Sequence, residues 1–387
     1  GDRTFWHWES SFATPPGRER ELREMVAKGV YEAGFENLRR HLAGGTRRAA
    51  AAPVPAGLPI ATRELRVLRY GGPEQFEPAV GEAPPPGPGE VRIRQRAIGV
   101  NFFDVYLRRG WMPQLLPVSS DAPGVLGMEA AGSVLDVGPG VSHLRPGDRV
   151  AYLGPLPGAY CSVRNVPADW VLRLPAAVED DDAAALLLKG LTADLLLHDL
   201  GRVGAGTRLL VHAAAGGVGQ LVCAWARRLG ARVLGTVSSD EKAQVARAHG
   251  CEHVIVTRDY RFADAVMQAC GGADVIVDGL GDAARTENFA ALARRGHWIS
   301  LGQASGALQP IDPNELVAKS LSFSRPVVFD YIDTRAQLEQ RAARLWAALA
   351  DGTLPAPVIE RHALDAAADA HARLESRRST GPLILVA

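Results

Sequence analysis

The sequence predicts an α/β protein with two folded domains, one antiparallel and one built on a parallel sheet, preceded by a helical extension. Its 387 residues are enough for two domains with a large buried core. Between about residues 62 and 189, short β-rich runs with period-two alternation are broken by glycine and proline. From about residue 190 to 324, strands alternate with helical segments, which is typical of a parallel sheet with helical crossovers.

The composition excludes several classes of partner. Lys plus Arg and Asp plus Glu each number 43, so no net charge attracts nucleic acid or an anionic membrane, and we expect neither partner. The longest apolar runs, at residues 183–188 and 209–215, are too short to cross a bilayer. The four cysteines lack metal-site spacing, and the first residues lack a signal-peptide pattern. We therefore expect a cytoplasmic protein with reduced thiols.

Residues 1–60 differ from the rest, with a helix predicted over about residues 16–42 and then a linker rich in glycine, alanine and proline. We expect this extension to pack on its own chain or on a partner. The predicted strands of the parallel sheet lie at residues 208–212, 232–237, 253–256, 274–278 and 298–301. Beyond them, we predict helices near 335–349 and 363–375 and a strand at 383–386 that completes the first domain.

The most informative segment is an apolar strand at residues 209–212 that continues into a glycine-rich turn and then a helix. Small residues in such a turn let the backbone approach a pyrophosphate, whose charge is stabilised by free amide groups and the helix dipole. The residues that we expect at the phosphate are Ala213, Gly216, Gly217, Val218 and Gly219. The strand before, the helix after and the length of the βαβ unit together predict a dinucleotide site.

The residues after the second predicted strand favour NADPH over NADH. An NAD site needs an acidic side chain at the end of that strand, where this chain has Val237. Ser238 and Lys242 follow and offer a hydroxyl and an ammonium group to a phosphate monoester. Asp240 and Glu241 would repel that phosphate if they faced it. The alternative for Lys242 is a solvated lysine on a helix.

Two further segments, GVNFFDVYLRRG at residues 99–110 and PGVLGMEAAG at residues 123–132, add a family resemblance. With the glycine turn, they resemble the medium-chain dehydrogenase/reductase superfamily, above all its zeta-crystallin-type quinone oxidoreductases in the zinc-independent branch. The likeness runs from about residue 65 to the C-terminus and includes LKGLT at 188–192, GQASG at 302–306, SRP at 324–326 and LESR at 374–377.

The resemblance implies a GroES-like antiparallel β domain joined to a doubly wound Rossmann parallel sheet. The expected domains are a helical extension and linker at residues 1–60, a GroES-like catalytic domain at 61–188 and 325–387, and a Rossmann domain at 189–324. It also implies a homodimer formed by pairing of strand edges near residues 320–324.

The residue types argue against a catalytic zinc. The superfamily's alcohol dehydrogenases hold zinc with a cysteine from the first segment and a histidine beside a glutamate from the second. Here Asn101 and Asp104 lie in the first segment and Met128 precedes Glu129 in the second, so we expect no metal. Alcohol oxidation by the zinc route is then disfavoured. Reduction of a quinone or an α,β-unsaturated carbonyl needs only hydrogen-bond donors to stabilise the resulting anion.

By resemblance, the residues around the nicotinamide and the substrate are Asn101, Tyr106, Lys189, Thr192 and Arg325. We predict that Tyr106 donates a proton or hydrogen bond, that Asn101 orients the reactants, and that Arg325 is a rim cation favouring an anionic product. Tyr106 packed at a domain seam, Arg325 in a surface salt bridge and Asp104 as a helix cap are the alternatives. The residues carried over to the cofactor are Tyr260, Gly302, Gln303 and Arg377.

These observations favour a zinc-independent, NADPH-dependent reductase that transfers hydride directly to a small quinone or enone. One alternative is an enoyl-thioester reductase in a biosynthetic pathway. Another is an NADPH-binding structural or RNA-binding protein, against which the balanced charge speaks. The sequence contains no recognisable code for the physiological electron acceptor.

Overall fold

The computed structural model of the chain describes residues 57–376 and 378–387, so the helix predicted over residues 16–42 lies outside the described residues. In the described part, the strands are β1 (Ile60–Val67), β2 (Phe76–Ala83), β3 (Glu90–Val100), β4 (Gly124–Val125), β5 (Glu129–Val137), β6 (Arg149–Leu153), β7 (Val163–Pro167), β8 (Val171–Arg173), β9 (Arg208–His212), β10 (Arg232–Val237), β11 (His253–Val256), β12 (Ala273–Asp278), β13 (Leu292–Ser300), β14 (Ser322–Ser324), β15 (Glu360–Ala363) and β16 (Leu383–Val386). The α-helices there are α1 (Phe102–Arg108), α2 (Asp180–Asp194), α3 (Gly217–Arg228), α4 (Asp240–Ala248), α5 (Ala263–Cys270), α6 (Arg285–Ala291), α7 (Pro313–Val317), α8 (Arg335–Ala350) and α9 (Ala367–Glu375).

The first group of strands forms the antiparallel domain. β1 pairs with β2 along its whole length and with the short β4. A larger sheet has the order β15–β16–β3–β5–β6–β8, and β7 also pairs with β3. The strand predicted at residues 383–386 is confirmed as β16, which pairs antiparallel with β3. The end of the chain therefore completes a sheet that begins almost 300 residues earlier.

The second group forms a parallel sheet with the order β11–β10–β9–β12–β13–β14. This is the 3-2-1-4-5-6 order of the doubly wound dinucleotide-binding fold, and the predicted fold class is confirmed. The strands predicted at residues 208–212, 232–237 and 253–256 have the predicted bounds, while β12 begins one residue before the predicted 274–278. Because the strands are parallel, their carboxyl ends share one edge, where ligands bind in such sheets.

Two predicted bounds are wrong for identifiable reasons. β13 covers Leu292–Ser300 rather than residues 298–301, because an irregularity in its pairing with β12 accommodates a polar, glycine-containing stretch in which Arg295 has a φ of 62°. The helix predicted at 363–375 begins only at Ala367, because Ala363 pairs in parallel with β16 as the last residue of β15 and residues 364–366 form a 3-10 turn. In both cases pairing with another strand claims residues at the start of the element, and in the second a 3-10 turn separates that strand from the helix.

α2 connects the two sheets and continues into a π-helical turn at Leu195–Leu200. Three aspartates in its first turn complement the helix dipole, and its alanine- and leucine-rich body is buried. At its carboxyl end, Asp194 accepts hydrogen bonds from Arg341 and Arg344 of α8 at 2.6–2.7 Å. The boundary that we expected between residues 188 and 189 falls inside this helix. Among the described residues, no helix has the length and apolarity that a membrane span requires.

Candidate active site

A cavity of about 560 Å³ lies between the antiparallel domain and the carboxyl edge of the parallel sheet. Its walls come from α1, α2 and the glycine turn after β9, and from the loops that follow β10, β11, β12, β13 and β14. The residues just before β16 close another side. One continuous space therefore joins the predicted phosphate turn to the predicted substrate residues of α1.

The glycine turn after β9 fits a pyrophosphate. Ala213 has a φ of 49°, in the left-handed region, and a Cβ at Gly219 would collide with the Ala213 carbonyl oxygen. α3 begins after Gly216, which has no side chain with which to cap the first amide groups of the helix. Those amide groups and the positive end of the helix dipole face the cavity, which Gly217 and Val218 also line.

One end of the cavity, beyond β10 and β11, carries the groups that we expected at an adenosine phosphate. Ser238, Lys242 and Tyr260 all line it, as predicted from the sequence. Arg258, which the sequence analysis missed, lines it too, and its Nε donates a hydrogen bond to the Ser238 carbonyl oxygen at 3.3 Å. The signal for Arg258 was its position two residues after the third strand, which lies beside the second strand in this sheet order.

The acidic residues near that end do not contribute to the described walls of the cavity. Asp240 and Glu241 occupy the exposed first turn of α4, whose cap is Ser239. The hydrogen bond with Ser239 lowers the pKa of the Glu241 carboxyl. Repulsion of a phosphate by these two carboxylates, which the sequence left open, is therefore reduced by their outward position.

At the other end, Asn101 is the N-cap of α1, and its side-chain amide is held from both sides. Its Nδ2 donates to Glu129 Oε1 at 2.8 Å, and its Oδ1 accepts from Lys189 Nζ at 2.8 Å. Lys189 Nζ also donates to the Val100 carbonyl oxygen at 3.3 Å, and Glu129 Oε2 accepts from the Leu188 N–H at 2.6 Å. Because donor and acceptor sides of the amide have different partners, the orientation of Asn101 is fixed.

Burial shifts the protonation of this cluster. Asp104 is fully buried in α1, and loss of hydration raises its pKa to about 7, although its Oδ2 accepts the Asn101 N–H at 2.8 Å. Burial also raises the pKa of Glu129 and lowers the pKa of Lys189, while the attraction between these two groups opposes both shifts. Asp104 belongs to the capping box of α1, which was the structural alternative for this residue.

Tyr106 contacts the parallel-sheet domain through its hydroxyl group. The oxygen accepts a hydrogen bond from the Gln303 N–H at 3.1 Å, and its predicted donor role toward the substrate stays a prediction. An accepted bond leaves the phenolic proton for a second partner. The ring stacks on Trp111 with centroids 5.0 Å apart, and burial raises the pKa of the hydroxyl. Tyr106 therefore lies both at a domain seam and in the wall of the cavity.

Gln303 also holds Arg325. Its side-chain oxygen accepts from Arg325 Nη2 at 2.8 Å, and Arg325 Nη1 donates to Ser300 Oγ at 3.0 Å. Arg325 lines the cavity and makes no ion pair with any described residue, so the structure differs from the salt-bridge alternative. Gln303 itself, which we expected at the cofactor, is absent from the described walls and instead links Arg325 to Tyr106.

The structure thus brings most of the predicted site residues to one cavity. Gly302 and Thr192 line it, with the Thr192 hydroxyl donating to the Leu188 carbonyl oxygen at 2.7 Å. Arg377 lies outside the described residues. Sequence reasoning missed an apolar wall that consists of Phe102, Phe103, Met112, Val327, Val328 and Phe329. Phe102 and Phe103 directly follow the predicted Asn101, but no local pattern shows which aromatic side chains face a cavity.

At the positions where the superfamily's alcohol dehydrogenases have zinc ligands, this chain has residues with other roles. Asn101 is committed to Glu129 and Lys189, and Met128 is buried in the core. Within residues 57–376 and 378–387, no cluster of three or more histidine, cysteine or acidic side chains is arranged to bind a metal ion.

Comparison with known proteins agrees with this architecture. Residues 87–176 match the family described as "Alcohol dehydrogenase GroES-like domain", and residues 217–345 match "Zinc-binding dehydrogenase". A 2-haloacrylate reductase of Burkholderia sp is 40% identical over 329 residues, which cover 83% of this chain and 97% of the relative. A quinone oxidoreductase of Pseudomonas aeruginosa is 38% identical, covering 84% and 99%. The structure of Escherichia coli quinone oxidoreductase complexed with NADPH superposes with a TM-score of 0.80 at 37% identity, covering 84% and 100%.

The GroES-like domain, the doubly wound sheet and the cavity between them define a medium-chain dehydrogenase/reductase. Within that superfamily, the chain belongs to the quinone oxidoreductases of the zinc-independent branch.

Proposed function

We propose that this protein is an NADPH-dependent reductase that transfers hydride directly to quinones or α,β-unsaturated carbonyl compounds. The observation that carries the proposal is the single cavity, which joins a phosphate-binding turn after β9 to the hydrogen-bonding groups of α1. The names of the quinone oxidoreductase and 2-haloacrylate reductase relatives, and the NADPH in the similar E. coli structure, support it.

The chain's residues hold NADPH along the carboxyl edge of the sheet. The amide groups at the start of α3 bind the pyrophosphate, and Ser238, Lys242 and Arg258 bind the adenosine phosphate. Gly302 packs closely against Gly279 and leaves room for the nicotinamide beside Tyr106. When bound, NADPH supplies a hydride to the substrate. The role of these residues is therefore to position the nicotinamide next to the substrate.

The substrate end of the cavity stabilises the anion that hydride addition creates. The Tyr106 hydroxyl donates its remaining proton to the substrate oxygen, while the Gln303 N–H holds the phenol in place. Asn101 is kept in one orientation by Glu129 and Lys189 and positions the acceptor against the cofactor. Arg325 lowers the energy of negative charge at the rim. Asn101 and Met128 offer no thiolate or imidazole, so the proposed reaction relies on hydrogen bonds.

We propose further that the protein is a cytoplasmic homodimer. Within the described residues, β14 is the last strand of the parallel sheet and pairs only with β13, which leaves an edge for a second copy. The four cysteines are free thiols, which suits a reducing compartment.

The proposed reaction is tested by following NADPH absorbance with a simple quinone, a conjugated ketone and an acyl thioester. We expect oxidation of NADPH with the quinone or the ketone, and faster oxidation than with NADH. Turnover of the thioester alone would favour the enoyl-thioester alternative. No turnover with any of the three would contradict the proposal.

A further inference from the structure

We propose that Arg325 forms a carboxylate-binding subsite, so that the enzyme prefers conjugated acceptors bearing a carboxylate next to the reducible double bond. The proposal rests on the reductase function above and narrows its substrate class. It depends on the partners of Arg325, on its distance from the phosphate-binding groups and on the apolar surfaces around it.

The guanidinium group of Arg325 is oriented without being neutralised. Its described partners, Ser300 Oγ and Gln303 Oε1, are uncharged, at 3.0 and 2.8 Å. Other arginines of the chain pair with carboxylates, as Arg344 does with Asp194 at 2.6 Å. A guanidinium group has five N–H donors, and these two bonds use two of them. Arg325 therefore presents fixed donors and a full positive charge to whatever occupies this end of the cavity.

Arg325 is too far along the sheet to serve the phosphates of the cofactor. Its guanidinium group is held at Ser300, the last residue of β13. In the sheet order, β13 lies two strands from β9, where the pyrophosphate turn begins, and three from β10, which leads to Ser238. With about 4.8 Å between neighbouring strands, these separations are about 10 and about 14 Å. An anion bound by Arg325 therefore belongs to the acceptor.

The surroundings of Arg325 strengthen its preference for an anion. The chain continues from it into Pro326, Val327, Val328 and Phe329, and all four line the cavity. Arg325 and Val327 are exposed in the structure, so the apolar surface lowers the local dielectric constant only once a bound acceptor covers it and excludes water. A guanidinium then binds a planar carboxylate through two parallel hydrogen bonds. A neutral quinone fills the same space but gains no ionic contact.

The two hydrogen bonds of Gln303 place the proton donor, Tyr106, and the cation, Arg325, where both can contact one bound acceptor. Its backbone N–H holds Tyr106, and its side chain holds Arg325. In the proposed step, the β-carbon of the acceptor gains hydride from NADPH, and the electron pair of the double bond moves to the α-carbon and the carboxylate. Arg325 stabilises that charge. For this class of acceptor the proton of Tyr106 goes to the α-carbon, in place of the oxygen that is protonated in a quinone or enone, and Tyr106 is reprotonated by water. The acceptor gains two electrons and NADPH loses two.

The test compares methacrylate with methacrylamide, which share a carbon skeleton but differ in charge. Steady-state kcat/KM is measured for both with the wild-type enzyme, with Arg325→Gln and Arg325→Lys, and with Arg294→Gln as the control. Arg294 is exposed on β13 and lies outside the described walls of the cavity.

We expect Arg325→Gln to reduce the methacrylate-to-methacrylamide ratio of kcat/KM about tenfold or more, which corresponds to the loss of one charge-assisted hydrogen bond. Arg325→Lys restores part of the ratio, and the control keeps the wild-type ratio. A ratio that changes less than about twofold in Arg325→Gln overturns the subsite.

A binding measurement separates this proposal from the proposed function. Calorimetry on the NADP⁺-loaded enzyme compares isobutyrate with isobutyramide, neither of which can be reduced. We expect tighter binding of isobutyrate by the wild type and loss of that preference in Arg325→Gln. If a quinone is reduced but isobutyrate shows no preference, the subsite is wrong and the reductase stands. If no acceptor is reduced but the isobutyrate preference depends on Arg325, the reductase is wrong and the anion subsite stands.

Discussion

Tyr106 is the residue on which the proposed proton transfer depends. Its hydroxyl is held by the Gln303 N–H, and its ring is held by Trp111. Replacement by phenylalanine keeps the ring and removes only the donor. We expect Tyr106→Phe to lower kcat about 100-fold, the usual contribution of a positioned acid, while the Kd for NADPH stays within about twofold. Tyr331→Phe, outside the described cavity walls, is the control; equal kcat values in the two variants would contradict the assignment.

Asp104 makes stability depend on pH in an unusual direction. Its pKa is about 7 in the folded chain against a reference value of 3.8, so the folded state keeps a proton that the unfolded state has lost between those values. The free energy of unfolding therefore falls as pH rises toward 7, and the full cost of the buried charge is present above that pH.

We expect Asp104→Asn to remove this dependence. Between about pH 5 and pH 8, the wild type should lose up to about 3 kcal/mol more of its unfolding free energy than the variant, because the amide cannot ionise. Denaturant unfolding at the two pH values measures the difference. Asp121→Asn, at an exposed position, should follow the wild type. Parallel pH profiles for Asp104→Asn and the wild type would show that the buried carboxyl does not titrate in this range.

The cations after β10 and β11 should decide which dinucleotide binds. Lys242 and Arg258 both line the cavity beside Ser238. We expect Lys242→Gln and Arg258→Gln each to weaken NADPH binding about fivefold to tenfold and to leave NADH binding nearly unchanged, since only NADPH carries the extra phosphate. Calorimetric titration with both dinucleotides is the measurement, and exposed Arg261 supplies the control Arg261→Gln. Equal losses of affinity for NADPH and NADH would mean that these cations contact a part of the cofactor that both dinucleotides share.

At the scale of elements, α1 is fixed at both ends. Its start is tied to Asn101, Glu129 and Lys189. At its end, the buried Arg108 donates to both oxygens of Glu375 at 2.8–2.9 Å, and Arg109 pairs with the same carboxylate at 2.6 Å. Glu375 is the last residue of α9, so one carboxylate joins the C-terminal helix to the helix that carries Tyr106.

Removing that carboxylate should loosen α1 and destabilise the fold. We expect Glu375→Gln to lower the free energy of unfolding by about 3 kcal/mol, because Arg108 becomes an unpaired buried charge, and to lower kcat as Tyr106 loses its position. The matched control is Glu360→Gln, whose pair with Arg373 is about one-third exposed and contributes under about 1 kcal/mol. Denaturant unfolding midpoints and steady-state rates, measured for both variants, test the predicted losses of stability and of kcat. Similar unfolding energies in both would mean that the Glu375 pair contributes little.

At the scale of the whole molecule, the open edge of the parallel sheet predicts the assembly. β14 is only three residues long and pairs on one side within the described residues. We expect light scattering to give twice the chain mass at micromolar concentration, because a second copy can continue the sheet across this edge. A monomer at these concentrations would contradict the dimer.

The local elements were predictable because their signals are local. β9, β10 and β11 have the predicted bounds, since each is an apolar, β-branched run between breakers. Ala213 and the following glycines were predictable because backbone approach to phosphate demands small residues in a strand–turn–helix unit. β13 was misplaced because its polar residues enter the sheet only through pairing with β12.

The amino-acid order by itself determined the two fold types, the phosphate turn and most of the residues around the cavity. Only the tertiary structure decided that Gln303 links Tyr106 to Arg325, that Arg258 joins the phosphate-binding end, and that Glu375 holds α1. The reason is physical. Strand and turn patterns depend on neighbouring residues, whereas these contacts join residues from 20 to more than 260 positions apart, which meet only when the sheets assemble.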